Sequence, residues 1–191
     1  MRTIVAAWLF LASTSWSFAQ EKDKPLAKTQ KVELAADLVA QVPADWKLQK
    51  SERPFRTHDF ILPSTKKGSA DGVLFVMHIG KGSGGGLEDN LKRWYAMVEQ
   101  PDGGSTEKLA KKSEIKRPDA KITWLDMPGT YLDKPFPQSP ETTKRPHYRV
   151  FAAMIDGGKE GPYWVRAYGP EEVMKANRDG FEQFLNSITK K

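Results

Sequence analysis

Residues 72–100 read GVLFVMHIGKGSGGGLEDNLKRWYAMVEQ, and their reading decides the fold. Val73 to Ile79 is a continuous apolar run of strand length, bounded by glycine on both sides, which suits a central strand. Beyond the glycines, Leu87, Leu91, Trp94, Tyr95 and Val98 fall at i, i+4, i+7, i+8 and i+11, a single helical stripe. Glu88 and Asp89 occupy the first turn, where the helix dipole favours negative charge. Pro101-Asp102-Gly103-Gly104 ends the segment. The unit is a strand, a glycine-rich loop and an amphipathic helix.

The loop itself, Gly80-Lys81-Gly82-Ser83-Gly84-Gly85-Gly86, satisfies the spacing G-x-G-x-x-G. In dinucleotide-binding folds that spacing lets backbone approach a pyrophosphate at a helix N-terminus. Five glycines in seven residues satisfy many spacings, however, and no acidic residue closes a second parallel strand about twenty positions on. A phosphate loop is also excluded, because no Gly-Lys-Ser/Thr opens the helix. Two readings stay open. Gly82, Ser83, Gly84, Gly85 and Arg93 hold a small anion or a partner, or the glycines make a structural turn.

Toward the N-terminus, Pro54 and Pro63 bracket a strand, Phe55 to Leu62, whose two mixed faces suggest a place near a sheet edge. Before it, Trp46-Lys47-Leu48 is a short extended piece and Leu38 to Val42 a strand. Residues 20–32 are polar and lysine-rich and read as a flexible leader. Residues 1–19 carry Arg2, an apolar run from Ile4 to Ala12 and the small-x-small ending Ser17-Phe18-Ala19, the pattern of a signal peptide. A single domain is expected over 33–191, exported to the periplasm or beyond.

Toward the C-terminus, Glu107 to Arg117 is compatible with a strand or a helical turn. Lys121 to Met127 is a strand with Ile122, Trp124 and Asp126 on one face and Thr123, Leu125 and Met127 on the other. Pro128-Gly129 marks a turn or bulge, and Thr130 to Leu132 continue beyond it. Asp133 to Pro146 has four prolines and no periodicity, a long loop of the kind that carries function or moves. His147 to Ile155 and Pro162 to Tyr168 form a hairpin. Pairing Ile155 with Pro162 puts Tyr148, Val150, Ala152, Met154, Tyr163, Val165 and Ala167 on the core face. The other face then carries Trp164, Arg166 and Tyr168, a set able to hold a sugar or a protein partner, or else to lie under a helix. A closing helix starts at Pro170 and buries Val173, Ala176, Phe181, Phe184, Leu185 and Ile188. Gly180 in its interior points to a kink or a close contact.

Composition narrows the function classes. The chain of 191 residues has no cysteine, so disulfides, thiolate metal sites and a cysteine nucleophile are excluded. A formal net charge of +6 is spread along the chain without the basic, aromatic-interleaved stripe of a nucleic-acid footprint. No apolar run after the signal is long enough to span a membrane. The histidines, 58, 78 and 147, share no metal-ligand spacing, and no G-x-S-x-G occurs. Neither a cofactor nor a metal is expected.

Leu38 to Trp46, Arg56 to Pro63, Gly72 to Gly86, Asn90-Leu-Lys-Arg-Trp94, Pro101 to Gly103, Gly129 to Tyr131 and Gly161 to Pro170 together resemble a group of uncharacterised exported proteins of planctomycete-type bacteria. The glycine cluster followed by N-x-x-R-W is the most specific part of that likeness. The opening V-P-x-x-W and the closing Phe-x-x-Phe-Leu-x-Ser-Ile resemble the PsbP/Mog-like α/β/α sandwich. The resemblance implies an α+β fold, an antiparallel sheet of about six strands with two main amphipathic helices, and a role in binding proteins or assisting assemblies. It implies no catalytic residue. The leading expectation is a soluble, non-enzymatic binding or accessory domain. It would use residues 80–86, the loop 133–146 and the face of Trp164, Arg166 and Tyr168, with an envelope protein or glycan as partner. The alternative is a carboxylate-dependent hydrolase or glycan-directed enzyme, using a pair such as Asp126 with Asp156 and Arg93 or His78.

Overall fold

The computed structural model describes residues 28–191 apart from 35, 36, 119, 137 and 158. The expected signal, 1–19, and the leader up to 27 lie outside the described residues. The strands are β1 (Thr29–Leu34), β2 (Leu38–Pro43), β3 (Lys47–Gln49), β4 (Arg56–Leu62), β5 (Gly72–His78), β6 (Val98–Glu99), β7 (Lys111–Lys116), β8 (Lys121–Asp133), β9 (Thr143–Asp156), β10 (Tyr163–Pro170) and β11 (Thr189–Lys190). The helices are α1 (Leu87–Tyr95), α2 (Thr106–Leu109), α3 (Glu171–Ala176) and α4 (Arg178–Ser187). The main sheet has 8 strands rather than about six, in the order β3-β4-β5-β10-β9-β8-β6, with β7 also paired to β8. A second sheet of 3 strands, β1-β2-β11, lies apart from it. The observed pairs are antiparallel. The fold is α+β, and among the described residues no helix is long and apolar enough to cross a membrane.

Alternation along the central strands builds two cores, one on each face of the main sheet. On the first face Phe60, Leu74, Val76, Trp124, Phe151 and Val165 meet Phe181, Phe184 and Leu185 of α4 and the inward residues of the small sheet. On the second face Leu125, Met127, Val150, Ala152 and Trp164 meet Leu91 and Trp94 of α1. β8 presents its residues as its alternation requires, and its register shifts between Gly129 and Tyr131, the bulge that Pro128-Gly129 signals. β5 lies between β4 and β10, inside the sheet.

Several expectations are corrected. The leader of 20–32 ends earlier than its polar composition implies, because β1 opens at Thr29. Its polar residues hide an alternation in which only Val32 and Leu34 are buried. Val98 is buried but stands on β6 opposite Tyr131, because the chain leaves the helix after Tyr95. The segment 107–117 contains both a helical turn, α2, and a strand, β7. The loop 133–146 shrinks to 134–142, since both of its ends pair in the long β8–β9 ladder. The closing helix is two helices that part at Asn177. There the side-chain amide donates to the Val173 and Pro63 carbonyls, and Oδ1 accepts the Trp46 indole N–H at 2.9 Å. Gly180 is a close contact, since a Cβ there would stand 2.9 Å from the Pro43 ring.

Hairpin register matters most for the site. Ile155 pairs with Tyr163, not Pro162. That slip of one residue regroups the faces. Phe151, Ala153 and Ile155 join Tyr163, Val165 and Ala167 in the α4-side core. Val150, Ala152 and Met154 lie with Trp164, Arg166 and Tyr168 on the α1 side.

Candidate functional site

The glycine loop and α1 are locked together by the residues of N-x-x-R-W. Asn90 Nδ2 donates to the carbonyls of Gly84, Gly85 and Gly86 at 3.1, 3.3 and 2.9 Å. Arg93 Nη2 donates to the Gly84 carbonyl at 2.6 Å. Asn90 and Arg93 stand one turn apart, so both reach back over the helix start, while Trp94 enters the core. Gly84, at φ +84°, lies flat on the Trp164 indole. A Cβ there would come within 2.3 Å of the ring. The loop carbonyls are therefore turned toward Asn90 and Arg93, and Trp164 is only 3% exposed. Ser83 is exposed, and its N–H donates to the Gly80 carbonyl at 3.3 Å.

At the other end of the same face stands a cluster of arginines and aromatic rings. Phe75 is cross-strand neighbour to Arg166 on β10 and to Asp59 on β4. A register shift between Arg56 and His58 turns Arg56 onto this face. Its guanidinium lies 3.7 Å from the Phe75 ring centre and 3.2 Å from Asp59 Oδ1. Arg166 lies 5.3 Å from the same ring. Its Nε is buried without a hydrogen-bond partner, as is Trp164 Nε1. Tyr168 meets Phe75 edge-on at 6.4 Å and stacks on Tyr131 at 4.6 Å, and Tyr131 in turn stacks on Tyr148 at 6.5 Å.

These ring contacts show that the β8–β9 hairpin turns over this face beyond its bulge. Its loop reaches β4's leading turn, where Arg53 Nη1 donates to the Pro135 carbonyl at 2.8 Å. Asp133 receives Arg145 Nε at 2.8 Å. Burial pushes the Tyr131 phenol up to about 12, against the pull of the neighbouring Arg166 guanidinium. Tyr168 is raised by burial and by Asp133, and Arg166 is lowered by burial while Tyr131's hydrogen bond works the other way.

The residues singled out in the sequence therefore share one face of the main sheet. Gly82, Ser83, Gly84, Gly85 and Arg93 lie at its Trp164 end. Arg166 and Tyr168 lie under the Pro-rich hairpin. Arg53, Arg56, Phe75 and Tyr131 belong to the cluster and escape a sequence reading. Only Arg53-Pro54-x-Arg56 at the start of β4 hints at them, and Arg56 reaches the face through a bulge.

The enzymatic alternative loses its pairings. Asp126 lies among the α4-side residues, whereas Asp156 lines a hollow of about 80 Å³ on the α1 side with Leu87, Lys121, Thr123 and Met154. That volume is far below the several hundred Å³ of a substrate pocket. Asp126 is held by Arg149 Nη1 at 3.0 Å and Arg178 Nε at 3.3 Å, an ion cluster tying α4 to the sheet. His78 stacks on Tyr163 at 4.5 Å on the α4 side, across the sheet from Arg93. Among the described residues no group of His, Asp and Glu is placed to hold a metal.

No protein-family model matches the chain, and no curated protein does. Among solved structures it is similar to cyanobacterial PsbP (CyanoP) from Synechocystis sp. PCC 6803. The TM-score is 0.51 at 10% identity, with 88% of this chain and 95% of that chain covered. At that identity the likeness carries the fold and no function. The chain has a PsbP-like α+β fold.

Proposed function

We propose that this chain is an exported, non-enzymatic binding or accessory domain that engages an envelope partner through the α1 face of its main sheet. The observation that carries the reading is convergence. Three stretches read separately in the sequence share one face: the glycine loop at one end, and Arg166 and Tyr168 under the Pro-rich hairpin at the other. A sheet face that served only as core would be covered by apolar side chains. This one keeps Arg56, Arg166 and Tyr168 partly exposed. Export rests on the signal-like residues 1–19 and on the likeness to exported planctomycete-type proteins.

The test is to express the tagged full chain in a Gram-negative host of that type, fractionate the envelope and crosslink before purification. A mature protein beginning at Gln20 and recovered with a discrete partner supports the reading. A protein that begins at Met1, or one that stays monomeric and partnerless in the envelope fraction, contradicts it.

A further inference from the structure

The Arg166 end of this face combines an excess of positive charge with exposed aromatic surface. Arg53, Arg56, Arg145 and Arg166 gather there against Asp59 and Asp133. Arg56 is paired with Asp59 and Arg145 with Asp133, but among the described residues no carboxylate lies within ion-pair distance of Arg166. Arg53 is exposed and spends one N–H on the Pro135 carbonyl, leaving most of its donor fork open. Two guanidinium groups share the Phe75 ring, and each raises the potential felt by the other.

Two phenylalanines flank the Arg53–Pro135 contact. Phe136 is 57% exposed, directly after Pro135. Phe55 is 61% exposed and sits at φ +66°, a left-handed conformation that costs a non-glycine residue about 1–2 kcal/mol. Its carbonyl accepts the His78 N–H at 2.9 Å, so the turn is used to launch β4 alongside β5. Glycine would make that turn without strain. The chain instead carries a phenyl ring there and holds it out to solvent.

We propose that this patch docks an acidic segment of a partner protein, its carboxylates on the exposed Arg53 in the positive field of Arg56 and Arg166, and its apolar side chains against Phe55 and Phe136. The inference rests on the binding reading above and names the chemistry of the partner. Arginine clusters pair with carboxylates through charge-assisted, two-point hydrogen bonds, and arginine with exposed aromatic rings is the composition that dominates binding energy at interfaces. An acidic glycan would satisfy the arginines and could stack on one ring face, but it brings no apolar side chains to cover two phenyl rings that are 61% and 57% exposed. A peptide with alternating acidic and aromatic residues satisfies both features.

The test uses the full exported chain and a labelled peptide of alternating Glu and Phe, read by fluorescence anisotropy, beside its Gln-for-Glu counterpart and polygalacturonate. The acidic peptide should bind at least about tenfold more tightly than the Gln peptide and weaken as salt rises. Phe55→Gly and Arg53→Ala should each weaken binding about tenfold. The thermal midpoint of Phe55→Gly should hold or rise, because glycine relieves the turn. Equal binding of the Glu and Gln peptides, wild-type affinity in Phe55→Gly, or binding of polygalacturonate but not the peptide overturns the inference. If no peptide binds while the envelope purification still recovers a partner, the inference falls and the binding reading stands. If that purification is empty as well, both fall.

Discussion

The two faces of the main sheet are covered in different ways. The α4 face is closed by two helices and a three-stranded sheet, and its ring contacts run from Trp46 through Phe184 and Phe181 to Trp124 and Phe151. Its charged group at depth, Asp126, is 1% exposed and held by two arginines. The α1 face is closed by one short helix at the Trp164 end and by a hairpin at the other. The helix end carries the glycine loop, and the hairpin end carries guanidinium groups and phenols. One face spends its residues on burial. The other keeps Arg56, Arg166 and Tyr168 partly exposed.

The largest effect tests the α4 face. Asp126→Ala leaves the half-buried Arg149 with only its longer 3.7 Å contact to Glu171 and should cost about 3 kcal/mol, measured by chemical denaturation, with envelope partner recovery unchanged below the transition. A cost under 1 kcal/mol would mean that the ion cluster is not what fastens α4 to the sheet. Next comes Gly84→Ala. The added methyl meets the Trp164 indole at a positive φ, so a loss of about 2–3 kcal/mol is expected. Hydrogen exchange should show α1 amides losing protection while α4 amides keep theirs. Loosening of both helices alike would break the division between the faces.

The smallest effect is the alkaline limb of stability. Tyr131 is held neutral in the fold, pushed up to about 12, while an unfolded tyrosine ionises near 10. Its contribution is therefore fully present below pH about 10 and is lost as pH rises through about 12, because the unfolded chain then holds fewer protons. Tyr163, likewise pushed up to about 12 by burial and its hydrogen bond to Asp37, acts on the α4 side in the same window. Tyr131→Phe should flatten this limb in part, and Tyr163→Phe should flatten it by a separate amount. A Tyr131→Phe limb that matches wild type would show that the hairpin does not bury the phenol.

Much of this division was legible in residues that act through neighbours in sequence. The run Val73–Ile79, the stripe on α1 and the alternation in β8 follow from period alone, and Pro128-Gly129 announces its bulge. What escaped depends on pairs far apart in the chain. The register of β9 against β10 turns on how the residues between Asp156 and Tyr163 are shared between loop and ladder, and one residue reversed a whole face of β9. Arg56 changes face through a bulge that no proline or glycine marks. The N-x-x-R-W motif was visible as a pattern, but its meaning required seeing that Gly84 rests on Trp164. The arginine cluster was invisible for the same reason, since its members come from β4, the β8–β9 hairpin and β10.

The most direct test of the central claim is site-specific photocrosslinking in the intact envelope. A photoreactive residue replaces Phe136 on the α1 side or Asn186 on exposed α4, one position at a time. The account predicts a discrete crosslinked species from position 136 and none from position 186. Crosslinks from 186 alone, or from neither, would contradict it.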